Sequence, residues 1–257
     1  MADGEAEVLV ETIGGLMVVT INRPHVRNAI NYRAAEAIAH ALDRLDNDET
    51  LSVAIVTGAG GGFSSGMDLA AFVQGSKPSY GDRGFAGMTR RSADKPLIAA
   101  IEGFAIAGGF EMALACDLIV AAEGARFALP EVRRGLVAAA GALLRLPRRM
   151  PYHAVMELAL TGEPITAERL HGFGVVNRLV APGSALVEAK AFASRIMEGG
   201  PLALAATKRI LVEQQDWSLN EMWEKQEPLF RAVAGSVDAR EGATAFKERR
   251  PPKWQRR

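Results

Sequence analysis

A pair of adjacent glycines, set between an apolar run and a run of helix formers, constrains this chain more than any other feature. Residues 97–101 are apolar and predict a buried strand, and residues 112–115 favour a helix. Gly108 and Gly109 therefore stand at a strand-to-helix turn. Glycine lets a backbone approach a ligand closely, and the unpaired N–H groups of a first helical turn stabilise a negative oxygen. A tight turn whose backbone is fully satisfied is the structural alternative.

Composition excludes several classes of protein. The chain has 257 residues, of which 49% are hydrophobic and 23% charged, as in ordinary globular domains. Basic and acidic residues both number 30, so the charge balance gives no reason to expect nucleic acid or a membrane as a partner. The single Cys116 excludes an intramolecular disulfide and fits a reducing compartment. Residues 1–8 resemble no targeting peptide, and we expect a cytoplasmic protein.

The order of predicted elements indicates an α/β core with a helical C-terminal region. Strands are predicted at residues 8–12, 16–21, 53–56, 97–101, 118–121, 126–128 and 175–180. Helices are predicted at residues 32–46, 184–197, 202–214, 218–233 and 237–249, with two or three short ones between 143 and 172. Ser218 and Glu221 have the spacing of a capping box. Residues 73–95, rich in Gly, Ser, Pro and charge, are predicted to be mobile, at most a broken helix.

Two short motifs near residue 60 point to other enzyme classes. The glycines of residues 58–62 do not complete a dinucleotide fingerprint, because Phe63 stands where its last glycine is required. Residues 62–66 match the G-x-S-x-G motif of serine hydrolases, with Ser64 as the nucleophile. That motif needs a strand running straight into the serine, whereas the predicted strand ends near Thr57. A serine hydrolase is therefore a disfavoured alternative.

Five segments, in order and spanning nearly the whole chain, resemble the enoyl-CoA hydratase/isomerase (crotonase) family. Residues 63–69 read F-S-S-G-M-D-L, similar to the family's F-[SA]-[AS]-G-x-D-[IL]. Residues 105–111 resemble its A-x-G-G-G-x-E segment, and residues 127–131 its F-x-x-P-E segment. Residues 23–29 and 241–249 resemble its early R-P-x-x-x-N-A and its C-terminal E-G-x-x-A-F-x-E-[KR]. Any one of these matches would be weak, but together they are specific.

The resemblance implies a crotonase-like spiral of ββα turns followed by a helical C-terminal region. Residues 1–195 would form the spiral core with an acyl-CoA site, and residues 196–257 an oligomerisation region. The family implies a homotrimer, or a hexamer built as a dimer of trimers. It implies no metal and no redox cofactor, since the substrate itself carries coenzyme A.

The resemblance also assigns roles to individual residues. Glu111 and Glu131 match the two catalytic glutamates of the family's hydratases, and the N–H groups of Met67 and Gly108 would form the oxyanion hole. Ser65 would lie beside the adenine of CoA, while Arg23, Arg27 and Lys247 are phosphate partners by charge, or solvated surface cations. The residues expected to bind CoA or substrate are Arg27, Ala29, Ser65, Gly66, Asp68, Leu69, Ala107 and Pro130.

The implied activity is hydration of a 2-enoyl-CoA to a 3-hydroxyacyl-CoA, as in fatty acid β-oxidation or related metabolism. One carboxylate would take a proton from water while the other, protonated, supplies a proton to C2. An enoyl-CoA isomerase that uses Glu131, another acyl-CoA dehydratase or hydrolase, and a non-catalytic acyl-CoA-binding or RNA-associated member are the alternatives. Residues 136–142 depart from the hydratase pattern x-x-P-x-A-G-G, which puts the substrate in question.

Overall fold

A six-stranded sheet runs through the computed structural model, which describes residues 6–257. In spatial order its strands are β1 (Val8–Ile13), β2 (Leu16–Ile21), β3 (Val53–Gly58), β6 (Leu97–Ile101), β8 (Leu118–Ala122) and β11 (Arg178–Val180). Strands β1 and β2 form the predicted antiparallel hairpin, and all other neighbours are parallel. Residues 1–5, part of the stretch interpreted above as free of a targeting signal, lie outside the described residues.

A second, three-stranded sheet carries the strands that lead to the predicted site. It comprises β7 (Phe104–Ile106), β9 (Arg126–Ala128) and β10 (Ile165–Thr166). Strand β7 follows β6, and β9 follows β8. In each of these two pairs the first strand belongs to the large sheet and the second to the small one. The predicted α/β class is confirmed. Strand β11 is shorter than predicted, because the N–H groups of Val175 and Val176 bond to the carbonyl of Leu170.

Ten α-helices complete the described chain. They are α1 (Tyr32–Asn47), α2 (Leu69–Val73), α3 (Gly108–Ala115), α4 (Ala142–Arg145), α5 (Tyr152–Thr161), α6 (Ala167–Gly172), α7 (Ala185–Ile196), α8 (Pro201–Glu213), α9 (Met222–Ala234) and α10 (Val237–Glu248). The capping box predicted at Ser218 does not form, because its hydroxyl donates to the Glu221 carboxylate and α9 begins only at Met222. Across residues 6–257 no helix has the length and apolarity to cross a membrane.

The four central strands of the large sheet, β2, β3, β6 and β8, are buried on both faces, which explains why they are almost continuously apolar. On one face Val18, Ile55 and Ile98 pack under α7, whose Ala185, Ala189 and Ala193 form a stripe at helical spacing. On the other face lies a larger core that includes the buried sides of α1 and α3. The small alanine side chains let α7 lie close to the sheet, while α3 is held between the sheet and the loops of the site.

Residues 73–95, predicted to be mobile, instead contain an ordered hairpin, so that prediction was wrong. Strands β4 (Ser79–Tyr80) and β5 (Gly84–Phe85) pair across a short 3₁₀ turn. Arg83 in this turn is only 2% exposed and donates to Asp43 on α1 through Nη2 at 2.6 Å and Nε at 3.1 Å. Its Nη1 also donates to the carbonyl of Arg91 at 3.1 Å. This buried cation fixes the hairpin to α1 in a segment whose composition favours loops.

The Arg83 anchor predicts a specific loss of stability. In Arg83→Met we expect the free energy of unfolding to fall by roughly 2–4 kcal/mol, less than for a fully buried pair because Asp43 is partly exposed. The urea midpoint measures this change. Arg91→Met is the matched control, since Arg91 also pairs with Asp43 but its side chain is 51% exposed. Equal losses in both variants would contradict the anchoring role.

Candidate active site

A cavity of about 810 Å³ lies where the segments that follow β2, β3, β7 and β9 come together. Almost all the predicted site residues line it, although they are spread over more than a hundred positions of the sequence. These residues are Arg27, Ala29, Ser65, Met67, Asp68, Leu69, Ala107, Gly108, Glu111, Pro130 and Glu131. Gly66 does not line the cavity but lies behind its wall, against Gly108. The fold thus gathers four of the five sequence segments around one space, and no residue of the C-terminal segment 241–249 lines it.

Two backbone N–H groups at this cavity have no protein acceptor. Ile30 donates to the carbonyl of Gly66 and Asp68 donates to the carbonyl of Ile30, so the intervening N–H of Met67 takes no part in this pairing. Gly108 is the first residue of α3, where an N–H has no partner within the helix. Neither group donates to an acceptor anywhere in residues 6–257. Both are therefore available to an oxygen atom of a ligand.

Glycines allow the two donor segments to approach each other. A Cβ on Gly66 would lie 2.8 Å from the Gly108 nitrogen, and Gly66 has a φ of +89°. A Cβ on Gly109 would lie 2.2 Å from the carbonyl oxygen of Ser64. Ala107, the N-cap of α3, has a φ of 53° and a ψ of −127°, a conformation that favours glycine. The turn is therefore close-packed and strained where the free N–H groups arise.

The Glu111 carboxylate is anchored by residues 136–142, the segment whose sequence departs from the family pattern. Its Oε1 accepts hydrogen bonds from the N–H groups of Ala140 at 2.7 Å and Ala142 at 3.1 Å. The residue is 3% exposed, and this burial raises the pKa of its carboxyl above the ordinary value, against the lowering effect of the two backbone donors. Because the donors are backbone groups, the loss of a proline and one glycine leaves the carboxylate anchored.

Glu131 has a different environment from Glu111. It lies in a 3₁₀ helix (Pro130–Arg134), and its Oε2 is buried without a hydrogen-bond partner among the described residues. Burial raises the pKa of this carboxyl to about 7, and the negative charge of Glu111 adds to the rise. Of the two carboxyls, Glu131 is thus the one poised to hold a proton near neutral pH.

The three cations proposed as phosphate partners lie in different places. Arg27 lines the cavity, with its guanidinium 4.5 Å from the centre of the Phe104 ring. Arg23 is 8% exposed and bonds to Asp68 at 3.0 Å and to the carbonyl of Ala29, so its expected role as a phosphate partner was wrong. Lys247 is exposed on α10 and does not line the cavity of this chain.

Ser64 occupies a structural position, which disfavours the serine-hydrolase alternative. Its side chain is fully buried and its hydroxyl donates to the carbonyl of Asn28 at 2.8 Å. The same oxygen accepts from the N–H of Gly66 at 3.1 Å. The adjacent Ser65 lines the cavity, but no histidine of the described chain does. The hydroxyl therefore supports the turn that presents Met67.

Sequence reasoning missed two walls of the cavity. The hairpin segment contributes Lys77, Phe85, Thr89 and Arg90, and the stretch after Glu131 contributes Arg134, Leu136, Val137, Ala139 and Ala140. The Phe85 ring lies against Gly108, where a Cβ would approach it to 2.5 Å. The hairpin stretch has neither a hydrophobic period nor a recognised motif, and the second stretch was noted only because residues 136–142 depart from the hydratase pattern. Charged residues were the signal available in both.

Comparison with known proteins gives consistent results. Residues 11–257 match the family described as enoyl-CoA hydratase/isomerase. The crystal structure of an enoyl-CoA hydratase from Mycobacterium marinum is 53% identical, with a TM-score of 0.97 over 98% of this chain and 100% of that one. Another from Mycobacterium tuberculosis H37Rv is 52% identical, with the same TM-score and coverage. A carnitinyl-CoA dehydratase from Salmonella arizonae is 42% identical over 250 residues, covering 94% of this chain and 95% of the relative.

The close approach at Gly66 predicts a steric penalty beyond ordinary backbone strain. Gly66→Ala should lower the free energy of unfolding by roughly 2–4 kcal/mol, since its methyl group must displace backbone atoms. Gly61→Ala is the matched control, because Gly61 also has a positive φ (+78°) but nothing lies within 4 Å of its Cβ position. We expect about 1 kcal/mol from that control. Equal urea midpoints for the two variants would show that the approach is not tight.

Proposed function

The chain belongs to the enoyl-CoA hydratase/isomerase family, and we propose that it catalyses the reversible addition of water across the 2,3 double bond of a 2-enoyl-CoA. The observation that carries this proposal is the convergence of two differently held glutamates on a cavity with two unpaired N–H donors. The relatives named enoyl-CoA hydratase and carnitinyl-CoA dehydratase support it, since hydration and dehydration are the two directions of one reaction.

In the proposed reaction the N–H groups of Met67 and Gly108 bind the thioester oxygen. This oxygen gains negative charge as the enolate forms, and Gly108 offers it the positive end of α3 as well. Each such donor contributes about 10²–10³-fold to the rate in comparable sites. The Met67 side chain is not required for this role, because only its N–H acts.

The two glutamates divide the proton transfers. Glu111, fixed by two N–H donors, accepts a proton from the water whose oxygen bonds to C3. Glu131, with a raised pKa, delivers its proton to C2. The product is a 3-hydroxyacyl-CoA, and the two carboxyls exchange protonation states. Transfer of a proton from Glu111 back to Glu131, directly or through solvent, completes the cycle, and no redox change or further cofactor is proposed.

The CoA portion of the substrate is proposed to follow the wall formed by Arg27, Ala29 and Ser65. Of the three cations expected to meet phosphate, Arg27 is the one that lines the cavity, and it forms no ion pair with a described residue. The carboxylate of Asp68 is engaged with Arg23 and caps α2, so it positions the wall and does not contact phosphate. Leu69, Ala107 and Pro130 supply apolar surface.

A spectrophotometric assay of 2-enoyl-CoA thioesters of differing chain length tests this function. Hydration removes the conjugated double bond, so absorbance should fall with added enzyme. Glu111→Gln and Glu131→Gln should each lower turnover by about 10²–10⁴-fold, with effects far from additive in the double variant. The hydration rate should decline as pH rises through 7, because Glu131 must be protonated.

The same variants separate hydration from isomerisation. An isomerase moves a proton between C2 and C4 with one carboxyl, so Glu131→Gln alone would be severe and Glu111→Gln mild. A non-catalytic acyl-CoA-binding protein would have no turnover to lose. Full hydratase activity in Glu131→Gln would refute the mechanism proposed here.

We also propose that residues 196–257 assemble the protein into a homotrimer, or a hexamer of two trimers, in the cytoplasm. Large apolar side chains on α8–α10 are exposed in the single chain, including Trp223 at 71% and Phe246 at 87%. Such exposed apolar groups favour association. The core, residues 1–195, would then carry the acyl-CoA site.

Light scattering tests this assembly. Trp223→Glu and Phe246→Glu should shift the mass from oligomer toward monomer, because each places a charge on an apolar contact. Ile13→Glu is the control, since Ile13 is exposed (67%) but lies on β1, far from α8–α10 in sequence. A wild-type chain that is monomeric at micromolar concentration would contradict the proposal.

A further inference from the structure

The cavity wall beyond the glutamates carries an unbalanced positive charge. Arg134 lines the cavity three residues after Glu131, and its charge opposes the rise in the pKa of Glu131, so the two groups are electrostatically coupled. Its side chain makes one long hydrogen bond, 3.4 Å to the carbonyl of Pro130, and no ion pair with any residue of the described chain. The neighbouring Arg133 instead donates to the carbonyl of Thr161 at 2.6 Å and does not line the cavity.

A second arginine of the same kind lies on the hairpin wall. Arg90 lines the cavity, and its aliphatic stem packs on Gly84, where a Cβ would lie 2.6 Å from Arg90 Cγ. Gly84 precedes Phe85, whose ring contacts Gly108, so Arg90 belongs to the wall beside the proposed thioester site. Within residues 6–257 its guanidinium has no hydrogen-bond or ion-pair partner, whereas the adjacent Arg91 pairs with Asp82 at 3.0 Å.

Few groups in the cavity balance these charges. Lys77 is a further cation on the hairpin side, and the carboxylates that line the described cavity are Asp68 and the two glutamates. Asp68 is bonded to Arg23, and the Oε1 of Glu111 is occupied by backbone donors. The aromatic rings of the wall are Phe72 and Phe85, without Trp or Tyr. A cage of aromatic faces, as used for quaternary ammonium groups, is therefore missing from these walls.

The proposed binding mode sets which part of a substrate meets the arginines. With the thioester oxygen at Met67 and Gly108, C2 and C3 lie at the glutamates, so a substituent on C4 extends past Glu131. The wall there includes Arg134, Leu136 and Val137. Because Arg90 and Arg134 line this same cavity, a charge on C4 would consequently be felt by both guanidinium groups.

We infer that Arg90 and Arg134 make the acyl site selective by charge, favouring enoyl groups with a distal carboxylate and rejecting those with a quaternary ammonium. This inference rests on the proposed hydratase function and adds the substrate class. It separates the chain from the relative named carnitinyl-CoA dehydratase, because a carnitinyl group bears a trimethylammonium cation. The chain is 42% identical to that relative over 250 residues, but the preference inferred here is for the opposite substrate charge.

Isosteric pairs of substrates on the same CoA carrier test the inference, because any contact of these cations with CoA phosphates then cancels. The first pair is 4-carboxy-2-butenoyl-CoA and its 4-carbamoyl counterpart. The second is 4-trimethylammonio-2-butenoyl-CoA and its 4-tert-butyl counterpart. We expect kcat/KM to be about 3- to 10-fold higher for the carboxylate than for the amide, and lower by a similar factor for the cation than for the tert-butyl group.

Neighbouring arginines provide matched controls. Arg134→Gln and Arg90→Gln should each move both ratios toward one, while Arg133→Gln and Arg91→Gln should leave them unchanged. Arg134→Lys should restore the preference, and added salt should weaken it because both guanidiniums are exposed. Using ratios at one pH removes any effect of Arg134 on the proton transfers of Glu131.

The outcomes distinguish this inference from the proposed function. If the wild-type protein turned over none of the four thioesters and no simple 2-butenoyl-CoA, the hydratase function itself would be refuted. Turnover of 2-butenoyl-CoA with both ratios near one, or with the cation preferred, would overturn the charge selectivity alone. Ratios that respond equally to Arg133→Gln and Arg134→Gln would show a general surface charge and also contradict it.

Discussion

The site depends on a backbone constraint. Three segments from distant parts of the chain lie side by side and are joined by backbone hydrogen bonds. Residues 27–30 pair with residues 64–68, and these in turn pair with residues 104–106 through Phe63 and Ser64. The N–H of Gly66 donates to the Ser64 hydroxyl and the N–H of Asp68 donates to the carbonyl of Ile30, which leaves the N–H of Met67 between them unpaired. Gly66 and Gly109 have no side chains at the points of closest approach, so the start of α3 comes next to that free N–H.

Backbone contacts also explain why the altered segment after Gly135 is compatible with an intact carboxylate. Ala140 and Ala142 hold Glu111 through their N–H groups, which nearly any residue could supply. What this segment does require is Gly141, because its φ of +113° is a conformation that residues with a side chain rarely adopt. Arg145 donates to the carbonyl of Thr89 and so connects this segment to the hairpin wall. Gly141, the glycine that remains in the segment, is thus the one whose backbone conformation requires glycine.

Much of the fold could be predicted because it depends on local patterns, and most residues that line the cavity were predicted from the resemblance of their segments to the family. Apolar runs marked the strands, helical spacing marked α1, and the motif segments marked both glutamates and the N–H donors. The burial of Arg83 and Arg23 was not predicted, because it depends on acidic partners forty or more residues away. These partners are Asp43 for Arg83 and Asp68 for Arg23. The spacing of Ser218 and Glu221 fits a cap, but in the structure the two side chains bond to each other. Where a charge pairs across the fold, composition predicts a solvated surface and is wrong.

The charges around Glu131 connect catalysis with selectivity. Burial and the nearby Glu111 raise the pKa of its carboxyl, and Arg134 opposes that rise. Without Arg134 the pKa of Glu131 would be higher, and the carboxyl would give its proton to carbon less readily. A stronger effect of the cation would lower this pKa and leave the carboxyl ionised at neutral pH. In the proposed reaction this guanidinium adjusts the acid, and in the inferred selectivity it presents a positive charge to the distal part of the acyl group. In this chain a substitution at Arg134 would therefore alter both properties at once, whereas a substitution at Arg90 on the hairpin wall would change the proposed selectivity alone.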